Sequence, residues 1–413
     1  MVQAKYLIVG GGVAGGAAAR AIRQANPEGR LVLITDEPYP PYDRVPLSKA
    51  YLLGKLKRER LFLLRPEQLD AGGTEIRTGT RAVALDPAGR TLTLDSGEMV
   101  RFERLLLATG GRPRRLPIPG SHLTGVHYLR TIDDSDRIRS EARPGRRAVI
   151  VGGSFIGCEV AVALHQLGVQ VTIFEVEPLL FGRVFDPAVA GALTQFIRSK
   201  GIGVETGASI VRFLGRNGRV AGVELADGRT FEADFAVVGV GIALNTELAE
   251  GAGLEVQNGV LVDERLQTPV EGIFAAGDIA RYYSPLYGRY LRVEHYDTAV
   301  KHGRRAGLNL IGRMEPYDGL PYFFSYLLEV NLHVVGDFSR WDGILETGPP
   351  SFPEPYVRYY FEGDRLAAVL MVNTPPPSLP AAEAYVRERP TPEGLRTMAR
   401  PELPVPAGDL KPR

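Results

Sequence analysis

Two glycine-rich turns constrain this chain more than any other feature of its sequence. Residues 10–15 read G-G-G-V-A-G and residues 152–157 read G-G-S-F-I-G, each after an apolar run and before an alanine-rich stretch. A turn of this kind lets the backbone approach a pyrophosphate and points the amides of the following helix at the phosphates. One such turn is weak evidence, but two predict that two dinucleotides bind one polypeptide. Two dinucleotides held together suggest that a hydride passes between them.

A carboxylate follows the second strand of each predicted nucleotide motif. Asp36 and Glu37 do so in the first motif, and Glu175 does so in the second. A carboxylate in this place accepts hydrogen bonds from an adenosine ribose and repels a 2′-phosphate. The second motif therefore predicts NADH rather than NADPH, although Arg183 is near enough in sequence to reach back. Ser154, which replaces the middle glycine, is small enough to keep the approach open.

The composition excludes several classes of protein. A formal net charge of +1 over 413 residues gives no general polybasic or polyacidic character, so no nucleic-acid partner is predicted. Cys158 is the single cysteine, which excludes an intrachain disulfide and the C-x-x-C pair of a dithiol reductase. Cys158 could be a small buried residue or a reactive thiol at a helix N-terminus, and both interpretations remain open. No membrane span, metal site or signal peptide is predicted, so we expect a cytoplasmic protein.

Four further motifs occur in a fixed order along the chain. Residues 40–49 read P-P-Y-D-R-V-P-L-S-K, residues 108–110 read A-T-G, and residues 268–278 read T-P-V-E-G-I-F-A-A-G-D. Residues 238–241 read V-G-V-G and are followed by Asn245. From about residue 5 to about residue 372 the chain resembles a family of FAD-dependent reductases. That family includes oxygenase-coupled ferredoxin reductases, rubredoxin reductases and apoptosis-inducing factor.

The resemblance implies FAD and NAD(H) as cofactors and assigns their sites. Three residues would take part in catalysis. Lys49 would lie near the flavin N5 and pair with Glu159, on the first turn of the helix that follows the second glycine turn. Phe155 would lie between flavin and nicotinamide. The implied FAD site comprises Gly10, Gly12, Ala14, Gly15, Asp36, Glu37, Arg44, Lys49, Val83, Ala108, Thr109, Gly110, Asp278, Glu294, His295, Tyr296 and Phe324. The implied NAD site comprises Gly152, Ser154, Phe155, Ile156, Gly157, Glu175, Arg183 and Gly241.

Each of these residues also has a purely structural interpretation. Arg44 and Lys49 could be solvated surface cations, and Asp278 could cap a helix. Phe155 could be a core residue, and Glu159 could interact with the helix dipole. These interpretations do not explain why all the motifs appear in the family's order.

The order of the motifs predicts an α/β fold with two Rossmann-like, glutathione-reductase-like domains and a C-terminal α+β domain. The FAD-binding domain would comprise residues 1–112 and 244–315, and the NAD(H)-binding domain residues 113–243. Residues 316–413 would form the third domain, with an antiparallel sheet built from strands near 332–335, 356–361 and 366–372. After residue 373 a proline-rich tail, with a short helix near 381–389, is interpreted as a surface segment.

The predicted activity is transfer of a hydride from NADH to FAD, followed by electron transfer to a ferredoxin-type or Rieske-type iron–sulfur protein. Tyr296 and Phe324 stand where ferredoxin reductases usually have tryptophan, which leaves the nature of the acceptor open. One alternative is an NADH-dependent quinone or oxygen reductase. Another is a redox-sensing NADH-binding flavoprotein similar to apoptosis-inducing factor. A monomer and a homodimer are both compatible with the sequence.

Overall fold

A computed structural model of the chain describes residues 2–25, 28–64, 73–398, 401–405 and 408–412. The chain forms two compact units. Unit 1 comprises Met1–Arg44, Arg58–Arg112 and Ala243–Pro321, and unit 2 comprises Val45–Lys57, Pro113–Ile242 and Tyr322–Arg413. Two short strands, Gly111–Pro113 and Ile242–Leu244, lie where the chain passes from one unit to the other. No helix among the described residues is long and apolar enough to cross a membrane.

Unit 1 is built around a seven-stranded sheet. The strand Val2–Val9 pairs in parallel with Leu31–Ile34 and with Met99–Leu107, and the helix Val13–Ala25 connects the first two of these. Leu31–Ile34 and the carboxyl-terminal residues of the other two, 6–9 and 105–107, are buried apolar runs, because a parallel strand inside a sheet is buried on both of its faces. In spatial order the strands are Thr74–Arg77, Leu31–Ile34, Val2–Val9, Met99–Leu107, Thr91–Leu94 and Ala82–Asp86, with Ile273–Ala275 also paired to Met99–Leu107.

Small residues allow two helices of unit 1 to lie in close contact. A Cβ on Gly303, in the helix Tyr296–Leu310, would lie 2.1 Å from the carbonyl oxygen of Ala14. This contact packs that helix against Val13–Ala25, directly after the first glycine turn. The remaining elements of unit 1 are the sheet strands Val260–Val262, Ala280–Ser284 and Arg289–Leu291, the helix Glu247–Gly251, and the 3-10 turns Arg58–Arg60 and Gly277–Ile279.

Unit 2 contains a second parallel sheet, of five strands. Its spatial order is Gly203–Thr206, Gln170–Glu175, Arg147–Val151, Phe235–Val238 and Val126–Tyr128. Arg147–Val151 leads through the second glycine turn into the helix Phe155–Gln166 and then into Gln170–Glu175, which repeats the arrangement in unit 1. Its other elements are the helices Ile132–Glu141 and Pro187–Ser199, the antiparallel strands Ile210–Arg216, Arg219–Leu225 and Thr230–Glu232, and the 3-10 turn Val45–Ser48.

Unit 2 also contains a six-stranded antiparallel sheet, as the sequence predicts. Its spatial order is Tyr322–Leu327, Val330–Gly336, Arg365–Val372, Tyr356–Glu362, Gly343–Glu346 and Lys411–Pro412. The sequence predicts this sheet and the segment 113–243 as separate domains, whereas their contacts place both in unit 2. The three-domain division therefore stays a prediction.

The tail contains the short helix that the sequence predicts near 381–389, and this helix buries one face. The helix Ser378–Glu388 packs on the antiparallel sheet with Tyr385 fully buried, and the second helix Pro392–Thr397 buries Leu395. Pro380 and Pro392 do not prevent the two helices, because each lies in a first turn, where a missing amide hydrogen costs no intrahelical hydrogen bond.

Candidate active site

The first glycine turn is shaped so that only glycine fits at two of its positions. Gly10 has a φ of 123°, and a Cβ there would lie 2.1 Å from the carbonyl oxygen of Ala108. A Cβ on Gly15 would lie 2.0 Å from the carbonyl oxygen of Gly10. Gly12 differs, because no atom of the described residues lies within 4 Å of a Cβ placed on it. The turn thus keeps its backbone open at Gly12, which fits a bound pyrophosphate.

The second glycine turn repeats this construction in unit 2. Gly152 has a φ of 104°, and its Cβ would lie 2.3 Å from the carbonyl oxygen of Gly239. A Cβ on Gly157 would lie 1.9 Å from the carbonyl oxygen of Gly152. Ser154 takes the place of Gly12 and is the N-cap of the helix, but its side chain makes no capping hydrogen bond. The backbone amides of the first helical turn are therefore not hydrogen-bonded to the Ser154 hydroxyl.

Gly157→Ala should raise the KM for NADH by about tenfold or more, equivalent to roughly 1.4 kcal/mol of binding. The added methyl group meets a backbone carbonyl, so the turn itself must shift. Gly191→Ala is the matched control, because no described atom lies within 4 Å of a Cβ in that place on the helix Pro187–Ser199. Steady-state kinetics should show an unchanged KM for Gly191→Ala. A Gly157→Ala variant with the wild-type KM would contradict the assignment of this turn to NADH.

The A-T-G motif forms hydrogen bonds with Asn245, where the chain returns to unit 1. The side-chain amide of Asn245 donates to the carbonyl of Thr109 at 2.9 Å, and the Thr109 hydroxyl donates to the carbonyl of Asn245 at 2.6 Å. The backbone amide of Asn245 donates to the carbonyl of Gly110 at 2.9 Å. Gly241, which precedes the return, has a φ of 92° and accepts from the backbone amide of Arg114 at 3.0 Å. These bonds fix the loop at the end of Met99–Leu107.

The carboxylate of the first motif is held by two side chains from the 40–49 segment. Arg44 Nη2 lies 2.5 Å from Glu37 Oε1, and the Tyr42 hydroxyl donates to Glu37 Oε2 at 2.5 Å. Arg44 also donates to the Tyr42 hydroxyl at 2.9 Å. Arg44 is therefore not a solvated surface cation, because it forms an ion pair beside the predicted ribose ligand. Asp36 is exposed at the same strand end.

Glu175 is anchored by backbone amides of the second motif. Its Oε2 accepts from the amide of Gly153 at 2.6 Å, and its Oε1 accepts from the amide of Glu177 at 2.9 Å. Arg183, which the sequence allows to reach back to this position, pairs instead with Glu177 at 2.6 Å. The Arg183 side chain is 75% exposed. Arg183 therefore does not neutralise Glu175, and a carboxylate in this place next to the turn disfavours a 2′-phosphate.

The predicted pair of Lys49 and Glu159 is present, and both residues belong to unit 2. Lys49 Nζ lies 2.6 Å from Glu159 Oε2, and Glu159 is 5% exposed. Glu159 lies at the start of the second turn of Phe155–Gln166, not on the first turn as predicted. Two further residues reach it that the sequence reasoning missed. Ser48 donates to Glu159 Oε2 at 2.6 Å and Ser325 donates to Oε1 at 2.7 Å.

Phe155 lies in a cluster of aromatic rings. Its ring centroid is 5.0 Å from that of Phe323 and 5.2 Å from that of Phe181. The core interpretation of Phe155 thus describes its packing, and a role beside the nicotinamide stays a prediction. The next residue, Ile156, is exposed. Phe324 lies on the other face of its strand from Phe323, with its ring centroid 5.4 Å from that of Tyr326, and its contact with FAD also stays a prediction.

The remaining predicted FAD ligands lie in unit 1. Asp278 is in the 3-10 turn Gly277–Ile279, where a Cβ on Gly277 would lie 3.1 Å from the Cβ of Ala14 in the first motif. His295 is the N-cap of Tyr296–Leu310, and burial lowers its pKa to about 4, so its ring is neutral at pH 7. Glu294 is paired with Arg292 at 2.6 Å. Val83 is an exposed apolar side chain.

Cys158 is a fully buried residue of the helix Phe155–Gln166. Burial, reinforced by the negative charges of Glu159 and Glu175, raises the pKa of its thiol well above its ordinary value. A protonated, inaccessible thiol is not a nucleophile at neutral pH. The small-buried-residue interpretation is confirmed.

Two glycine-cradled β-α-β motifs, each with a carboxylate after its second strand, define an oxidoreductase with two nucleotide sites. The model of the pyridine nucleotide-disulphide oxidoreductase family matches residues 4–303. The chain belongs to this family, although its single cysteine excludes the redox disulfide that the family name describes.

Its relatives include several electron-transfer reductases. The chain is 34% identical over 374 residues to putidaredoxin reductase CamA of Pseudomonas putida, covering 89% of this chain and 88% of that one. It is 34% identical over 370 residues to a rubredoxin-NAD(+) reductase of the same organism, covering 89% and 96%. The structure of a covalent putidaredoxin reductase–putidaredoxin complex matches with a TM-score of 0.90 at 33% identity, covering 94% of each chain. The resemblance and the fold class predicted from the sequence are confirmed.

Proposed function

We propose that this protein is an NADH-dependent flavoprotein reductase that delivers electrons to a ferredoxin-type iron–sulfur protein. The observation that carries the proposal is the repeated glycine turn, which appears twice with the same backbone contacts in a chain without a redox disulfide. Bound FAD would accept a hydride from NADH and release the two electrons to the acceptor. The named relatives, which act with putidaredoxin and rubredoxin, support a small protein as that acceptor.

In this proposal the residues of unit 1 hold FAD. The open backbone at Gly12 receives the pyrophosphate, and the helix Val13–Ala25 directs its first amides toward it. Glu37 accepts from the adenosine ribose while Arg44 stays paired with it. Residues 1–112 and 244–315 form the FAD-binding domain in this interpretation, and residues 316–413 form the C-terminal domain.

The residues of unit 2 bind and orient NADH. The turn at Gly152 receives its pyrophosphate, and Glu175 accepts from the 2′-hydroxyl of its adenosine ribose. Lys49 and Glu159 place an ion pair at the nicotinamide end of NADH, and Phe155 limits the access of water to the nicotinamide. The contribution of the protein is therefore to orient the nicotinamide and to exclude solvent. A cytoplasmic location is part of this proposal.

Anaerobic stopped-flow mixing of the purified yellow protein tests the proposal. NADH should bleach the flavin absorbance, and a two-iron ferredoxin should restore it faster than a quinone or oxygen does. Fast reoxidation by quinone or oxygen alone would contradict a protein acceptor. A reduced complex that persists in air and changes its elution volume on gel filtration would instead identify a redox sensor. A protein that is colourless after gentle purification would contradict FAD binding.

A further inference from the structure

The carboxylate of Glu159 is held at both oxygens by three donors. Oε2 accepts from Ser48 Oγ and from Lys49 Nζ, each at 2.6 Å, and Oε1 accepts from Ser325 Oγ at 2.7 Å. Glu159, Ser48 and Ser325 are all buried. A carboxylate bonded at one oxygen only can rotate about its last side-chain torsion, which has a broad energy minimum. Bonds at both oxygens remove that freedom.

The two serines are themselves fixed by the fold of unit 2. Ser48 closes the 3-10 turn Val45–Ser48, in which the Leu47 carbonyl accepts from the buried hydroxyl of Ser135 at 2.8 Å. Ser325 lies within the strand Tyr322–Leu327 and is paired with Leu332 of the adjacent strand. The two serines thus stand on separate elements, the 3-10 turn and the strand, each of which contacts the helix that carries Glu159. Lys49, in contrast, has a long flexible side chain that is 20% exposed.

We propose that Ser48 and Ser325 are positioning residues for hydride transfer, which hold Glu159 in one orientation so that Glu159 in turn holds the ammonium group of Lys49. This inference rests on the proposed function. Lys49 needs such a partner, because its long side chain loses rotamer entropy that one ion pair at a loose carboxylate does not offset. The Lys49 ammonium group stabilises the charge that develops during flavin reduction only if it is held in the right place. A displacement by a fraction of a hydrogen-bond length weakens this stabilisation.

The test is a double-mutant cycle on the full protein with FAD bound. The limiting rate of flavin reduction at saturating NADH, the Kd for NADH and the flavin midpoint potential are measured for Ser48→Ala/Ser325→Ala. We expect the limiting rate to fall by about tenfold, the effect of losing a hydrogen bond to a charged group, with the Kd within about twofold. The midpoint potential should move as well. In a Lys49→Met background the same serine changes should alter the rate by less than about twofold.

Two controls separate positioning from simple loss of stability. Ser378→Ala removes a buried serine hydroxyl of the same unit, which donates to the Glu402 carbonyl at 2.8 Å, and it should leave the rate and the potential unchanged. Ser48→Thr retains a hydroxyl and should recover most of the rate. A serine double variant that melts earlier but keeps the wild-type rate and potential would overturn the inference, as would an undiminished effect in Lys49→Met. If NADH does not reduce the wild-type flavin, the proposed function itself fails.

Discussion

Arg358→Met should lower the free energy of unfolding of unit 2 by about 3–5 kcal/mol. Arg358 is 1% exposed and forms ion pairs with both Asp186 and Glu346. Its removal leaves the buried carboxylate of Asp186 without that cation, and burying an unpaired charge is costly. Glu346 loses one partner but keeps its ion pair with Lys411. Asp186 also accepts from the amide of Ala188 at 3.0 Å as the N-cap of Pro187–Ser199, so the start of that helix is affected too.

Urea denaturation followed by tryptophan fluorescence measures this loss. Trp341 is the single tryptophan of the chain, and its ring centroid lies 5.4 Å from that of Tyr360, so the signal reports on unit 2. Arg365→Met is the control, because Arg365 is 56% exposed and its pair with Asp364 spans 3.5 Å. It should change the stability by less than about 0.5 kcal/mol. Equal losses in the two variants would contradict a special role for the buried pair.

The loss in Arg358→Met should depend on pH. Burial favours the neutral form of Glu346, but hydrogen bonds from Lys411, Tyr356 and Arg358 outweigh it and lower the pKa of this carboxyl from 4.5 to about 2. A carboxyl with a lowered pKa in the folded protein stabilises it above the unfolded value, and this stabilisation is lost as pH falls. The difference between wild type and variant should therefore shrink as pH falls from 4.5 toward 2.

Glu175→Gln should lower the ratio of kcat/KM for NADH to that for NADPH by about tenfold to a hundredfold, the range expected when a hydrogen bond to a charged group is lost. The neutral amide no longer repels a 2′-phosphate and accepts less strongly from a ribose hydroxyl. Steady-state kinetics with both nucleotides measure the ratio. Thermal melting checks that the loss of one of the backbone contacts of Glu175, to Gly153 or to Glu177, leaves the protein folded.

Glu177→Gln is the matched control for this coenzyme test. It neutralises the neighbouring carboxylate and leaves Arg183 without its exposed ion pair. An exposed pair contributes little, so the ratio should change by only a few fold. A wild-type enzyme that prefers NADPH, or a larger effect from Glu177→Gln than from Glu175→Gln, would show that Glu175 does not select the nucleotide.

Local patterns predict the nucleotide motifs well, because glycine spacing and strand composition act over a few residues. The turns at Gly10 and Gly152 and the strands around them lie where the sequence places them. The pairing of Lys49 with Glu159 follows only from the resemblance to a family, since nothing local joins two residues so far apart. The hydrogen bonds of Ser48 and Ser325 to Glu159 span 111 and 166 positions of the chain, and a single sequence does not show which partner either serine bonds.

One omission could have been avoided from the sequence alone. The resemblance directs attention to Phe324, because it stands where ferredoxin reductases usually have tryptophan. Side chains alternate along a strand, so Phe323 and Ser325 share one face and Phe324 lies on the other. The buried face, not the aligned aromatic residue, meets the helix that carries Glu159. The alternation rule applied to this strand would have singled out Ser325.

The bonds between Asn245 and the Thr109–Gly110 segment have a consequence for how this architecture diversifies. These hydrogen bonds join the end of the chain that leaves unit 1 directly to the start of the chain that returns to it. The segment between these two points therefore begins and ends at one fixed place. The entropy of closing a loop grows only slowly with its length. A segment inserted between these two points can therefore be exchanged or lengthened at small thermodynamic cost, while unit 1 keeps its own core.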